Sequence, residues 1–189
     1  MAVSVIVPHR RRGRRRKPMI FRFMVLSVVA TAAIVLFAIR GCQTTPAAPP
    51  GRERVTIDGQ HFFLEPALDQ STRIRGLGGR TTIEPAGGMI FVFPFKNQLQ
   101  FVMRDCETAI DIAFLDDTGR VVRMYEMPTE PSRREDESPG AYEMRLKRYN
   151  SDFPVRYVVE VAPGTWQRLG VKPGDQFTFD VEGLKARAR

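Results

Sequence analysis

AIDIAFLDDTGRVVRMYEM, residues 109–127, sets the fold class. Two apolar halves flank Asp116-Asp117-Thr118-Gly119, a polar cluster ending in glycine that predicts a turn between antiparallel strands. Asp111 is the odd residue, an acid inside an apolar strand. Burying an unpaired carboxylate is expensive, so Asp111 requires donors. Arg75, Arg80, Arg104 or several backbone N–H groups are the candidates, giving either a buried brace or a polar pocket.

More strands are predicted on both sides. RVTI-DG-QHFFLE, residues 54–65, reads as a hairpin turning at Asp58-Gly59. ALDQSTRIRG, 67–76, predicts a short helix with Leu68, Thr72 and Leu77 inward and Asp69, Gln70, Arg73 and Arg75 toward water. MIFVF, 89–93, reads as a buried strand stopped by Pro94, and LQFVM, 99–103, as another. VRYVVEVAP, 155–163, is a further strand. GTWQRLG, 164–170, predicts a helical turn closed by Gly170 in a left-handed cap, and KPGD then turns into a last strand, QFTFDV. TEPSRREDESPGAYEMRLKRYNSD, 129–152, reads as a long surface loop in which EMRLKRY forms a brief helix. The expected fold is α+β and predominantly β: one small domain of antiparallel or mixed strands, barrel-like or a sandwich, with two short helices.

The chain ahead of this domain differs from it. Residues 1–18 are a basic region containing Arg10 to Arg12 and Arg14 to Lys17, and residues 19–40 are apolar enough to be a signal peptide or membrane anchor. The basic side is expected to stay cytoplasmic, with the rest on the extracytoplasmic, periplasmic side. Residues 41–52, including TTPAAPPG, have linker composition; residues 53–181 hold the domain, and 182–189 are expected to be a flexible tail. Gly41-Cys42 after the apolar run makes Cys42 a candidate lipidation site, although Arg40 departs from the small or apolar residue usual there. A lipoprotein, a retained anchor and an ordinary signal peptide all remain open.

The net charge of +8 suggests a nucleic-acid partner only until it is located. Nine of the 29 Lys and Arg residues lie in residues 1–40, leaving twenty against all 21 acids in the remainder. That near-neutral balance excludes the basic footprint of a nucleic-acid binder. Two cysteines do not make a disulfide scaffold, although Cys42 and Cys106 could pair.

The ordered pieces resemble the bacterial and archaeal family numbered 192 among the domains of unknown function. Arg75-Gly76-Leu77-Gly78-Gly79-Arg80, Gly88-Met89-Ile90-Phe91-Val92-Phe93, Phe101-Val102-Met103-Arg104-Asp105-Cys106 and Ile110-Asp111-Ile112 follow its pattern. So do Asp117-Thr118-Gly119-Arg120-Val121, Tyr157-Val158-Val159-Glu160, and Gly164, Gly170 and Gly174-Asp175. Val102 stands where the family has tryptophan, Gly78 where it has methionine, and Asp105-Cys106 where it has Asn-Thr. The 129–152 loop is also longer than usual. The resemblance spans residues 54–180 and implies a fold without an established reaction.

Few residues carry chemistry. His61 is the only histidine after residue 9, and one histidine with one or two cysteines falls short of a zinc set, so no metal or cofactor is expected. RGLGGR could cradle an anion with its backbone N–H groups or simply end a helix; it lacks the Lys-Ser/Thr of a phosphate loop. Glu107, Glu160 and Asp175 form no recognisable catalytic pair. The candidate contact residues are Arg75, Arg80, Met103, Arg104 and Asp111. The expected function is a membrane-associated binding or accessory module contacting an envelope protein, a glycan or a small polar ligand. A small envelope hydrolase and a purely structural envelope protein are the alternatives.

Overall fold

The computed structural model describes residues 46–189, so the basic region, the apolar stretch and Cys42 lie outside the described residues. The first hairpin forms as its turn chemistry dictates. β1 (Glu53–Ile57) and β2 (Gln60–Ala67) pair antiparallel around Asp58 and Gly59, at φ 46° and 73°. Positive φ at both central residues matches the right-handed twist of the flanking strands.

β2 then pairs parallel with β3 (Met89–Asn97), and the crossover between them carries α1 (Gln70–Arg75). β8 (Val155–Val161) inserts between β3 and β5 (Ile110–Leu115), and β6 (Val121–Met127) closes a mixed six-stranded sheet in the order β1-β2-β3-β8-β5-β6. Residues 174–178 reach both edges of that sheet. Thr56 and Thr178 exchange backbone hydrogen bonds of 2.8 and 3.0 Å, while the Val121 N–H donates to Asp175 O at 2.9 Å. This segment thus bridges the two edges of the sheet.

Strand alternation divides the core in two. One cluster contains Phe62, Ile90, Val159 and Ala113, and is plugged by Trp166 from α3 (Thr165–Leu169), Phe177 and Leu184. The other contains Met89, Phe91, Ile112, Phe114 and Val158, and is covered by Leu77, Met103 and Tyr149.

Several expectations are corrected. β3 runs past Pro94 to Asn97, with a register shift after Val92; the missing proline N–H falls where the ladder is already interrupted. The Arg156 guanidinium donates to the freed Phe93 and Pro94 carbonyls. LQFVM contributes only β4 (Gln100–Phe101), paired with β7 (Tyr149–Asn150) in a separate ribbon. QFTFDV makes isolated bridges at Gln176 and Thr178 instead of a strand.

Four short helices occur among the described residues, not two. α2 (Pro139–Arg145) starts at the Ser138 cap, earlier than EMRLKRY, and lies in the long excursion between β6 and β8. That excursion is held by Glu137, 6% exposed, which accepts from Arg145 Nε at 2.7 Å and Nη2 at 3.1 Å. The C-terminal residues form α4 (Val181–Arg187) in place of a frayed tail. Leu184 is buried in the core, Arg187 bonds Glu53 at 2.6 Å, and the Arg189 N–H donates to Leu68 O at 2.8 Å.

Candidate functional site

A cleft of about 320 Å³ opens beside α1. Its sides come from α1 and the glycine turn that ends it, from Phe91 and Phe93 of β3, and from residues 99–106; Glu160 of β8 also lines it. Register puts Glu160 there. It sits opposite Met89 on β3 and Ile112 on β5, so it shares their face of the sheet. Gly88 makes the close approach possible: at φ 134°, a Cβ there would lie 2.1 Å from Glu160 O.

Glu160 is 5% exposed, and its carboxyl makes no hydrogen bond or ion pair among the described residues. Burial alone pushes the acid up to about 8. Its oxygens are not among the fully enclosed unpartnered polar atoms of the described residues, so the carboxyl keeps some contact with the cleft's solvent while most of its hydration is lost. In the apolar wall beside it, Phe91 and Phe101 pack edge to face at 5.1 Å and Phe101 against Phe114 at 5.6 Å.

The RGLGGR turn is built from local bonds. Asp69 and Thr72 form a capping box that starts α1, and Gly76, at φ 52°, ends it with its N–H on Thr72 O at 3.0 Å. Gly78 donates to Arg75 O at 3.1 Å and Gly79 to Asp105 O at 2.8 Å. These three N–H groups are therefore occupied, and the turn is no anion cradle. It instead anchors the 104–106 segment and inserts Leu77 into the core.

The expected site residues separate. Arg75 and Arg104 line the cleft. Arg75 is exposed and makes no side-chain hydrogen bond or ion pair among the described residues, whereas Arg104 is held by Glu143 at 2.5–2.8 Å. Arg73, assigned to water, also lines the cleft, but donates to Val92 O and Arg189 O at 2.9 and 2.7 Å. Arg80 does not line it: the guanidinium forks onto both Glu65 oxygens at 2.8 and 2.6 Å. Met103 is core, 1% exposed.

Asp111 faces the opposite side of the sheet. Its Oδ2 accepts the Trp166 N–H at 2.8 Å and so caps α3, whose own N-cap, Gly164, has no side chain for the task. Desolvation raises its pKa, and the backbone N–H groups of Trp166, Gly164 and Thr165 oppose that rise. The donors are backbone groups, none of the three arginines. His61 is not among the lining residues and shares a 3.0 Å hydrogen bond with Thr56 Oγ1.

Sequence reasoning passed over Glu160 as one acid among many. The signal was present: like Asp111, it is a lone acid in an apolar strand. Cys106 lines the cleft as a half-buried thiol, pushed up to about 12 by burial and by the charges of Glu160 and Asp105. No group of three or more metal-ligating side chains occurs among the described residues.

The family model DUF192, described as "Uncharacterized ACR", matches residues 53–179. The chain belongs to this family. Of the four positions expected to depart from the family motif, Gly78, Val102 and Cys106 line this cleft and Asp105 does not. No curated protein matches the chain. Two crystal structures are similar. One is of a protein from Sinorhizobium meliloti 1021 described as a candidate transcription regulator, 28% identical, with a TM-score of 0.56 over 71% of this chain and 98% of that one. The other is of a protein of unknown function from Novosphingobium aromaticivorans DSM 12444, 26% identical, with a TM-score of 0.56 over 72% and 94%.

Proposed function

We propose that this DUF192 domain is a small-molecule-binding module displayed outside the cytoplasmic membrane on an N-terminal tether. The observation that carries the binding reading is Glu160, a buried carboxyl without a protein partner facing an aromatic-walled cleft. Support for export comes from the basic block followed by an apolar run at residues 19–39. No helix of the described residues is long and apolar enough to cross a membrane, so the tether would be that run or a lipid on Cys42.

An enzyme would gather Arg75, Arg104, Asp111 and His61 around one reacting atom. Only the two arginines reach the cleft, and Asp111 is engaged as a helix cap. The regulator description of the S. meliloti protein finds no electrostatic support here, because residues 41–189 carry twenty basic and 21 acidic side chains.

Thermal melting of the full chain in detergent against a library of small polar-tipped apolar compounds tests the binding reading. Compounds that raise the midpoint are expected to lose their effect in Val102→Trp, which fills the cleft. A library with no compound that Val102→Trp abolishes overturns it. Protease added to spheroplasts tests export: residues 51–189 are expected to be cut along with an outside marker, and their survival would sink the tether.

A further inference from the structure

We infer that the cleft receives an apolar amine, its protonated nitrogen hydrogen-bonded to Glu160 and its hydrocarbon body against Phe91, Phe93 and Phe101. This rests on the cleft being the binding site proposed above.

The inference follows from what the cleft offers and lacks. An ionised carboxylate only accepts hydrogen bonds, and no donor among the described residues bonds the Glu160 carboxyl. The lining guanidinium groups do not act on it: Arg73 is committed to two carbonyls, Arg104 to Glu143, and Arg75 is exposed. Burial is what raises its pKa. The backbone offers an anion no cradle, because the N–H groups of Gly76, Gly78 and Gly79 already have acceptors, which leaves an anion only the exposed Arg75 guanidinium, away from Glu160's burial. What the floor lacks is a positive charge with N–H donors. A ligand ammonium supplies both, and in a water-poor site such a charge-assisted bond is strong.

The pairing has a protonic signature. Around neutrality the empty acid holds its proton, so binding an ammonium drives that proton off. Among the groups facing Glu160, α1 and its turn contribute Arg73 and Arg75, and the 99–106 segment contributes Arg104 and Cys106. Met89 and Ile112, from the flanking strands, do not titrate. The Cys106 thiol lies at about 12, so between these two acids a transition between pH 6 and 9 belongs to Glu160.

Calorimetric titration of the full chain in detergent tests this, with 2-phenylethylamine as probe and 2-phenylethanol and 3-phenylpropionate as neutral and anionic counterparts. Comparing buffers of different ionisation enthalpy at pH 7 counts protons. The amine is expected to bind tightest, to release close to one proton, and to gain up to about tenfold in affinity per pH unit toward pH 8. Glu160→Gln, checked for its melting transition, is expected to weaken the amine by roughly tenfold or more and abolish proton release.

Equal binding of amine and alcohol, or an amine indifferent to Glu160→Gln, overturns the inference. Preferred binding of the propionate overturns it too, since Glu160 would then be acting as a protonated donor. So does failure of all three probes. Binding of other compounds that Val102→Trp abolishes would leave the cleft reading standing, whereas its failure in the library screen would take both down.

Discussion

Asp111 and Glu160 are buried acids on neighbouring strands, one residue out of register, and they face opposite sides of the sheet. Asp111 pairs with Val161 and Ile112 with Glu160, so alternation sends one carboxylate toward α3 and the other into the cleft. One has a buried backbone donor at 2.8 Å and the other has none. The first is a structural brace; the second lines the cleft without such a donor.

Asp111→Ala strands the buried Trp166 N–H and removes the only side-chain cap that α3 receives. A loss of about 1–3 kcal/mol is expected in urea denaturation, with no change in cleft binding. Weaker ligand binding at unchanged stability would remove the brace assignment.

Glu160→Gln is expected to stabilise the empty protein, in a pH-dependent way. The folded acid lies at about 8 against an ordinary 4.5, so its contribution is fully present below the lower value and is lost as pH rises through the higher. Wild type and variant should therefore match near pH 4, with the variant ahead by roughly 5 kcal/mol near pH 9. Denaturation at the two pH values decides it; a constant difference would mean that Glu160 does not titrate as described. A stabilising substitution that costs binding is the usual mark of a functional position.

Cys106 should be a sluggish nucleophile despite lining the cleft. With the thiol at about 12, its thiolate is scarce near neutrality. Iodoacetamide at pH 7.5 is expected to label the tryptic peptide of residues 105–120 roughly 100-fold more slowly than a free cysteine thiol. Labelling at the free rate would place the thiol in an environment unlike the one described.

Gly88→Ala is expected to cost more than about 3 kcal/mol or to prevent folding, since its Cβ would meet Glu160 O at 2.1 Å from a φ of 134°. Gly79→Ala has positive φ but nothing within 4 Å, and should cost about 1 kcal/mol. Equal midpoints in urea would contradict the close strand approach at Gly88.

Features set by a few adjacent residues were legible in the sequence. Asp58-Gly59 makes its hairpin turn, Gly119 takes φ 83° in the turn before β6, and Gly170 takes φ 66° as the α3 cap. Strand ends were less legible. Pro94 reads as a stop until a register shift accommodates it, and the C-terminal residues read as frayed until Leu184 finds the core. Of the five candidate contacts, Arg75 and Arg104 line the cleft; Glu160 was passed over, because its place in an apolar strand does not say which face of the sheet it takes.

The sequence by itself determined the turns, the strand-rich class and the lone acids in apolar strands, all consequences of backbone chemistry over a few residues. Only the tertiary structure decided which acid is satisfied. Trp166 lies 55 positions from Asp111, and its N–H meets the carboxylate only because β8 inserts between β3 and β5 and delivers α3 to one face. On the other face the same pairing sets Glu160 between Met89 and Ile112, two apolar side chains with no hydrogen to donate. A one-residue step in register thus separates a helix cap from an open site, and register is a property of the assembled sheet.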